Sequence, residues 1–216
     1  MKYRLRADTF FTEEEKRRIT ETTRETESRT IGEVAVMVVD SSDRYMEAEV
    51  IGGMLLGSLI SLIITVSYFH SSIWSFIPLG FLLFFPFLFL FKKVHILKTA
   101  FIGIKRKEDT VRLRAVRAFY EKGLYKTKKN TGVLFFLSLL ERKVWVLADK
   151  GIHEKIGQET LDKFASTVSQ GIKDGRGCDA LCEAIKETGD LLSRYFPITP
   201  DDTDELPDEV MTDGSE

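Results

Sequence analysis

Glu33-Val-Ala-Val-Met-Val-Val-Asp40, followed nine residues later by Val50-Ile-Gly-Gly-Met-Leu-Leu-Gly-Ser-Leu-Ile-Ser-Leu-Ile-Ile-Thr-Val-Ser-Tyr-Phe69, is the stretch on which the fold turns. The first segment is a near-continuous apolar run preceded by Gly32. That length and composition suit a strand covered on both faces. The second is twenty residues without a formal charge, and Ile73–Phe91 adds nineteen more. Each matches the roughly 20 residues that a helix needs to cross about 30 Å of hydrocarbon. Only His70, Ser71 and Ser72 lie between them, so the two predicted helices, 50–69 and 73–91, form an antiparallel hairpin with both ends on one side.

The residues around the hairpin set its expected orientation. The fifteen residues before Val50 contain only Arg44 as a cation, whereas the sixteen after Phe91 contain Lys92, Lys93, Lys98, Lys105, Arg106 and Lys107. The tip has no Lys or Arg. Cationic flanks stay inside, which predicts a multi-pass protein of the cell (inner) membrane with both termini in the cytoplasm. Trp74, Tyr68 and Phe69 near the tip suit an interfacial belt. No Asp, Glu, Lys or Arg falls within either span, and transport pathways usually need such groups, so the hairpin reads as an anchor in the lipid bilayer. Gly53-Met-Leu-Leu-Gly57, extended by Ser61, is a small-residue stripe that lets helices approach closely. It serves either packing within the hairpin or a homodimer through Gly53, Gly57 and Ser61. Pro78 and Pro86 predict kinks in the second helix.

Outside the hairpin the chain is highly charged. Thr12-Glu-Glu-Glu15 is a capping box that predicts a helix to about Arg29, a surface helix given its run of Thr. Glu108–Tyr125 carries Val111, Leu113, Val116, Phe119 and Tyr120 at helical spacing. Val133–Leu140 and Lys143–Asp149 read as two strands in a tight antiparallel hairpin. Helices are expected over Gln158–Ile172 and Cys178–Phe196, separated by Gly175-Arg-Gly177. Residues 1–49 hold one helix and one strand, too little for a core. They are expected to join 94–196 in one discontinuous soluble domain, into which 50–91 is inserted. The segment 197–216 carries eight carboxylates and no Lys or Arg, which predicts a disordered acidic tail and leaves the remainder net basic. That charge is too diffuse for a nucleic-acid partner. The start of the chain has no apolar signal core, so no cleaved peptide is expected. Cys178 and Cys182, four apart on one helix face, read as buried core thiols.

Thr131-Gly-Val-Leu-Phe-Phe-Leu-Ser-Leu-Leu-Glu-Arg-Lys-Val-Trp-Val-Leu-Ala-Asp-Lys-Gly-Ile152 resembles the signature of the TPM-domain family. Thr30-Ile-Gly-Glu-Val-Ala-Val-Met-Val-Val resembles that family's first strand, and Lys173-Asp-Gly-Arg-Gly-Cys-Asp-Ala-Leu its late glycine turn. The resemblance implies an α/β fold with a mixed β-sheet between helices, here interrupted by the transmembrane hairpin. It also implies the acid-phosphatase activity described for some members.

No nucleophile elbow, P-loop, zinc-protease or dinucleotide motif occurs. The best candidates for chemistry are carboxylates at strand ends, because open α/β sheets bind ligands at the carboxyl ends of their strands. Asp40 ends the first strand and Asp149 the third. If those strands are parallel, the two meet at one edge, where Asp174 of the glycine turn could join them. Such a cluster would hold Ca²⁺ or Mg²⁺ and polarise a phosphate. The competing reading gives the same residues turn and capping roles. Two functions therefore remain open: an interaction or assembly module for other membrane proteins, or a metal-dependent phosphatase using Asp40 and Asp149.

Overall fold

The computed structural model describes residues 6–69, 73–127, 129–199 and 206–213. In chain order the elements are α1 (Glu13–Glu27), β1 (Glu33–Val39), α2 (Met46–Tyr68), α3 (Ile73–Lys93), α4 (His95–Ala100), α5 (Ile104–Glu121), β2 (Gly132–Ser138), β3 (Lys143–Ala148), α6 (Lys150–Ile156), α7 (Gln158–Lys173), α8 (Gly177–Tyr195) and β4 (Met211–Asp213). The chain divides into two compact units. One comprises Met1–Ser42 with Glu108–Glu216, and the other is Asp43–Lys107.

The first unit is a mixed α/β structure. Its four strands lie in the order β3-β2-β1-β4. β1 runs parallel to both β2 and β4, while β2 and β3 are antiparallel. All seven residues of β1 and all seven of β2 are buried, because helices cover both faces of the sheet. Val34, Val36 and Val38 pack with Phe135, Leu137 and side chains of α1, α7 and α8. The alternate residues Ala35, Met37 and Val39 pack with Leu134, Phe136 and the α5 residues Val111, Ala115 and Phe119. The period of two along the strands thus feeds two separate cores.

Helix α1 starts at the expected capping box: Thr12 accepts from the Glu15 backbone N–H, and the Glu15 carboxylate accepts from that of Thr12. It is not a surface helix, however. Ile19, Thr22, Thr23 and Thr26 are buried, and Thr26 Cγ2 would lie 2.2 Å from a Cβ placed on Gly189 of α8. Threonine methyls supply the apolar face that hydrophobic periodicity alone does not reveal. The β2–β3 connection is the four residues 139–142, longer than the two-residue junction expected, with Arg142 left-handed at φ +54°.

The acidic tail departs furthest from expectation. Residues 200–205 and 214–216 lie outside the described set, but 206–213 are ordered, and Met211–Asp213 adds to β1 as β4. β1 has a strand edge to satisfy, and main-chain pairing there outweighs the tail's polar composition.

The second unit is built on α2 and α3, both long and apolar enough to cross a membrane. Val50–Phe69 falls within α2 except for its last residue, and Ile73–Phe91 within α3; His70, Ser71 and Ser72 lie outside the described residues. Gly53 and Gly57 face α3 closely: a Cβ on Gly53 would stand 3.0 Å from the Leu88 nitrogen, and one on Gly57 3.2 Å from that of Phe84. The Ser61 hydroxyl donates to the Phe76 carbonyl at 2.9 Å. The small-residue stripe is therefore filled by the second helix of the same hairpin. α3 continues as one helix through Pro78 and Pro86. On the outer faces Leu59, Ile63 and Val66 of α2 and Trp74, Phe81 and Phe89 of α3 are exposed, Trp74 by 85%. At the base of this unit Lys98 and Glu49 form a buried ion pair, and Arg106 pairs with Glu47 at 2.8 Å.

Candidate functional site

The three aspartates expected to converge do not. β3 is antiparallel to β2, so its end at Ala148 lies beside Val133, whereas Val39 at the end of β1 lies beside Ser138. Asp40 and Asp149 therefore stand at opposite ends of the sheet, about 20 Å apart at 3.3 Å per residue. A tight hairpin always reverses its second strand, and the expectation of a shared edge required parallel ones. Asp149 is the N-cap of α6, accepting from the Lys150 N–H at 2.7 Å. Asp40 accepts from the Ala7 N–H. Asp174 is the C-cap of α7, where its carboxylate accepts from Gln170 Nε2 at 3.0 Å and lies 3.8 Å from Arg176. Among the described residues no group of three His, Cys, Asp or Glu is placed to hold a metal ion.

Two other arrangements occupy the ends of β1. At its carboxyl end Ser138 and Glu141 are buried. The Ser138 hydroxyl donates to Glu141 Oε2, the Ser42 N–H donates to Glu141 Oε1 at 2.9 Å, and the two serine hydroxyls are 2.8 Å apart. This knot ties the chain leaving β1 to the β2–β3 turn. Glu141 reads in the sequence as a turn residue; only the parallel pairing of β1 with β2 brings Ser42 to it.

Beside the knot lies a pocket of about 230 Å³. Phe10, Leu137, Leu139, Val144 and Ile172 line it, and Arg142, Lys143 and Lys173 stand among them with the hydroxyls of Ser138 and Ser169. Lys143 pairs with Glu108 at 2.6 Å. A neighbouring pocket of about 240 Å³ shares Lys143, Val144 and Ser169 and reaches Trp145. The cations are spread over the β2–β3 turn and the end of α7, thirty residues apart in the chain, so no local motif announces them.

At the opposite end of β1, burial and a hydrogen bond with Asp208 push the Glu27 carboxyl up from its ordinary 4.5 to about 10. Glu27 Oε1 accepts from the Val34 N–H at 2.7 Å. Asp208 is buried, its Oδ2 3.1 Å from Arg24 Nε. Glu33, also buried, adds further repulsion to the Glu27 anion. Asp208 comes from the tail, so expecting disorder there hid the cluster. Cys178 and Cys182 are free and buried as expected, and burial together with Cys182 raises the Cys178 thiol to about 12. Cys178 is therefore a poor nucleophile.

Residues 93–191 match the family model of the TPM domain. That match spans α5, β2, β3 and α6–α8 and leaves β1 and most of the hairpin before it. The fold is similar to the NMR structure of the BA42 protein from the psychrophilic bacterium Bizionia argentinensis, with a TM-score of 0.60 and 20% identity over 94% of this chain and 96% of that one. No curated protein matches the chain.

Proposed function

We propose that this TPM-domain protein is anchored in the cell membrane by its α2–α3 hairpin and serves there as an interaction or assembly module for other membrane proteins. The observation that carries the reading is the outer surface of the hairpin. It exposes Leu59, Ile63, Phe81 and Phe89 while its small residues face inward, the inverse of a water-soluble helix pair. The charge asymmetry of its flanks supports a cytoplasmic position for both termini. The edge strand β3, with only β2 beside it among the described residues, offers a place for an extended partner segment to pair. The phosphatase reading has lost the shared edge on which its Asp40–Asp149 site depended.

Alkaline washing of membranes tests the anchor: the intact chain stays in the pellet, and recovery in the supernatant would overturn it. A reporter fused after Glu216 tests the side, with activity of a periplasm-dependent reporter as the contrary result. Crosslinking from a photoreactive residue at Lys143, on the β3 edge, is expected to trap a membrane protein. A yield no higher than from exposed Glu159 on α7 would overturn the module reading.

A further inference from the structure

We propose that the pocket between the β2–β3 turn and the end of α7 is a binding site for a small apolar acid, an acyl or aryl group carrying one anionic head. The site combines two properties that are seldom found together by chance. Its walls include Phe10, Val144 and Ile172, which suit an apolar body, and its charged residues are Arg142, Lys143 and Lys173, all cationic. Among the described residues no Asp or Glu lines it. Lys143 is already paired to Glu108, so Arg142 and Lys173 are the cations that would meet an anionic head, and the Phe, Val and Ile wall suits an apolar body rather than a bare inorganic anion.

The volume bounds the occupant. At the roughly 30 Å³ that one water takes up in the liquid, 230 Å³ admits about eight heavy atoms. That is below the drug-sized range of about 300–1,000 Å³ and close to a medium-chain acid. Arg142 adds a second observation. Its backbone is held at φ +54°, a left-handed conformation that non-glycine residues seldom adopt. Strain of this kind concentrates where a side chain must be held at a ligand. The Ser138–Glu141–Ser42 knot fixes the turn on which Arg142 stands. The acid would present its head to Arg142 and Lys173, both exposed, with its chain against Phe10, Val144 and Ile172. The same chemistry could arrive as a free acid or as an acidic lipid.

The test uses the full chain in phosphatidylcholine vesicles, with Trp74→Phe leaving Trp145, which lines the adjoining pocket, as the sole indole. Octanoate is expected to give a saturable change in Trp145 emission, and octanol a half-saturation at least ten times higher. The double variant Arg142→Asn, Lys173→Gln, whose asparagine tolerates the left-handed turn, should weaken octanoate at least tenfold. Ser169→Phe, which fills the pocket, should abolish the response with the circular dichroism spectrum unchanged. Equal response to octanol, or an unaltered titration in the double variant, would overturn the site. Vesicles doped with a lysophosphatidic acid separate the sources. Competition with octanoate places the ligand in the bilayer, and an unchanged octanoate curve identifies a free acid; in either case the site stands.

Discussion

Strands β1 and β2 and helices α2 and α3 are the most apolar parts of the chain, yet their surroundings are opposite. Every residue of β1 and β2 is buried between two helical layers, whereas Leu59, Phe81 and Phe89 of the hairpin stand more than half exposed. The same side-chain chemistry is covered by protein inside the sheet and left open on the outer faces of the hairpin. Apolar composition thus identifies a segment that must leave water, and length and period decide whether its covering comes from the chain or from a bilayer.

The contrast can be broken at several points. Phe135→Ala, in the centre of β2, should cost about 3–5 kcal/mol of stability, read as a lower denaturant midpoint of the first unit. Phe81→Ala on the outer face of α3 should leave that midpoint within about 0.5 kcal/mol. Equal effects would mean that α3 is covered by protein. Gly189→Val drives a side chain into Thr26 and should cost about 1–3 kcal/mol by overpacking, seen as a lower melting temperature, and more than Ala would.

Gly57→Leu is the corresponding intrusion in the hairpin, where the Phe84 backbone stands 3.2 Å from the new Cβ. It should separate α2 from α3 at that level and lower disulfide crosslinking between cysteines placed at Ser61 and Gly80, while the midpoint of the first unit stays fixed. A further test sharpens the comparison through pH. The Glu27 carboxyl is raised from 4.5 to about 10, so between those values the folded state holds a proton that the unfolded state has released. Stability from this group is full below pH 4.5 and falls as pH rises towards 10. Asp208, Glu33 and Arg24 surround it. Glu27→Gln, which stays neutral, should flatten the decline in melting temperature between pH 6 and pH 9. An unchanged slope would show that Glu27 is not the titrating group.

Much of the fold was legible because its signals are local. The capping box at Thr12, the apolar runs 33–39, 133–140 and 143–149 and the length of 50–91 each report a neighbourhood of a few residues. What escaped depends on pairing across the chain. Nothing near Asp149 says which end of the sheet it will occupy; the sense of β3 decides that. Ser42 and Glu141 meet only because β1 lies parallel to β2. The basic residues of the pocket come from a turn and a helix end that are remote in sequence. The tail reads as disordered by composition, yet Met211–Asp213 pairs with β1 through backbone groups that composition does not report.

The order of β1 between β2 and β4 has a consequence for biosynthesis. β1 is translated first, but one neighbour begins at Gly132 and the other at Met211. Roughly ninety residues separate β1 from β2, about 5–20 s of synthesis at 5–20 residues per second. Throughout that delay a strand that is apolar except for Glu33 waits without either of its neighbours. The sheet can therefore close around β1 only after Gly132–Ser138 and Met211–Asp213 have been made.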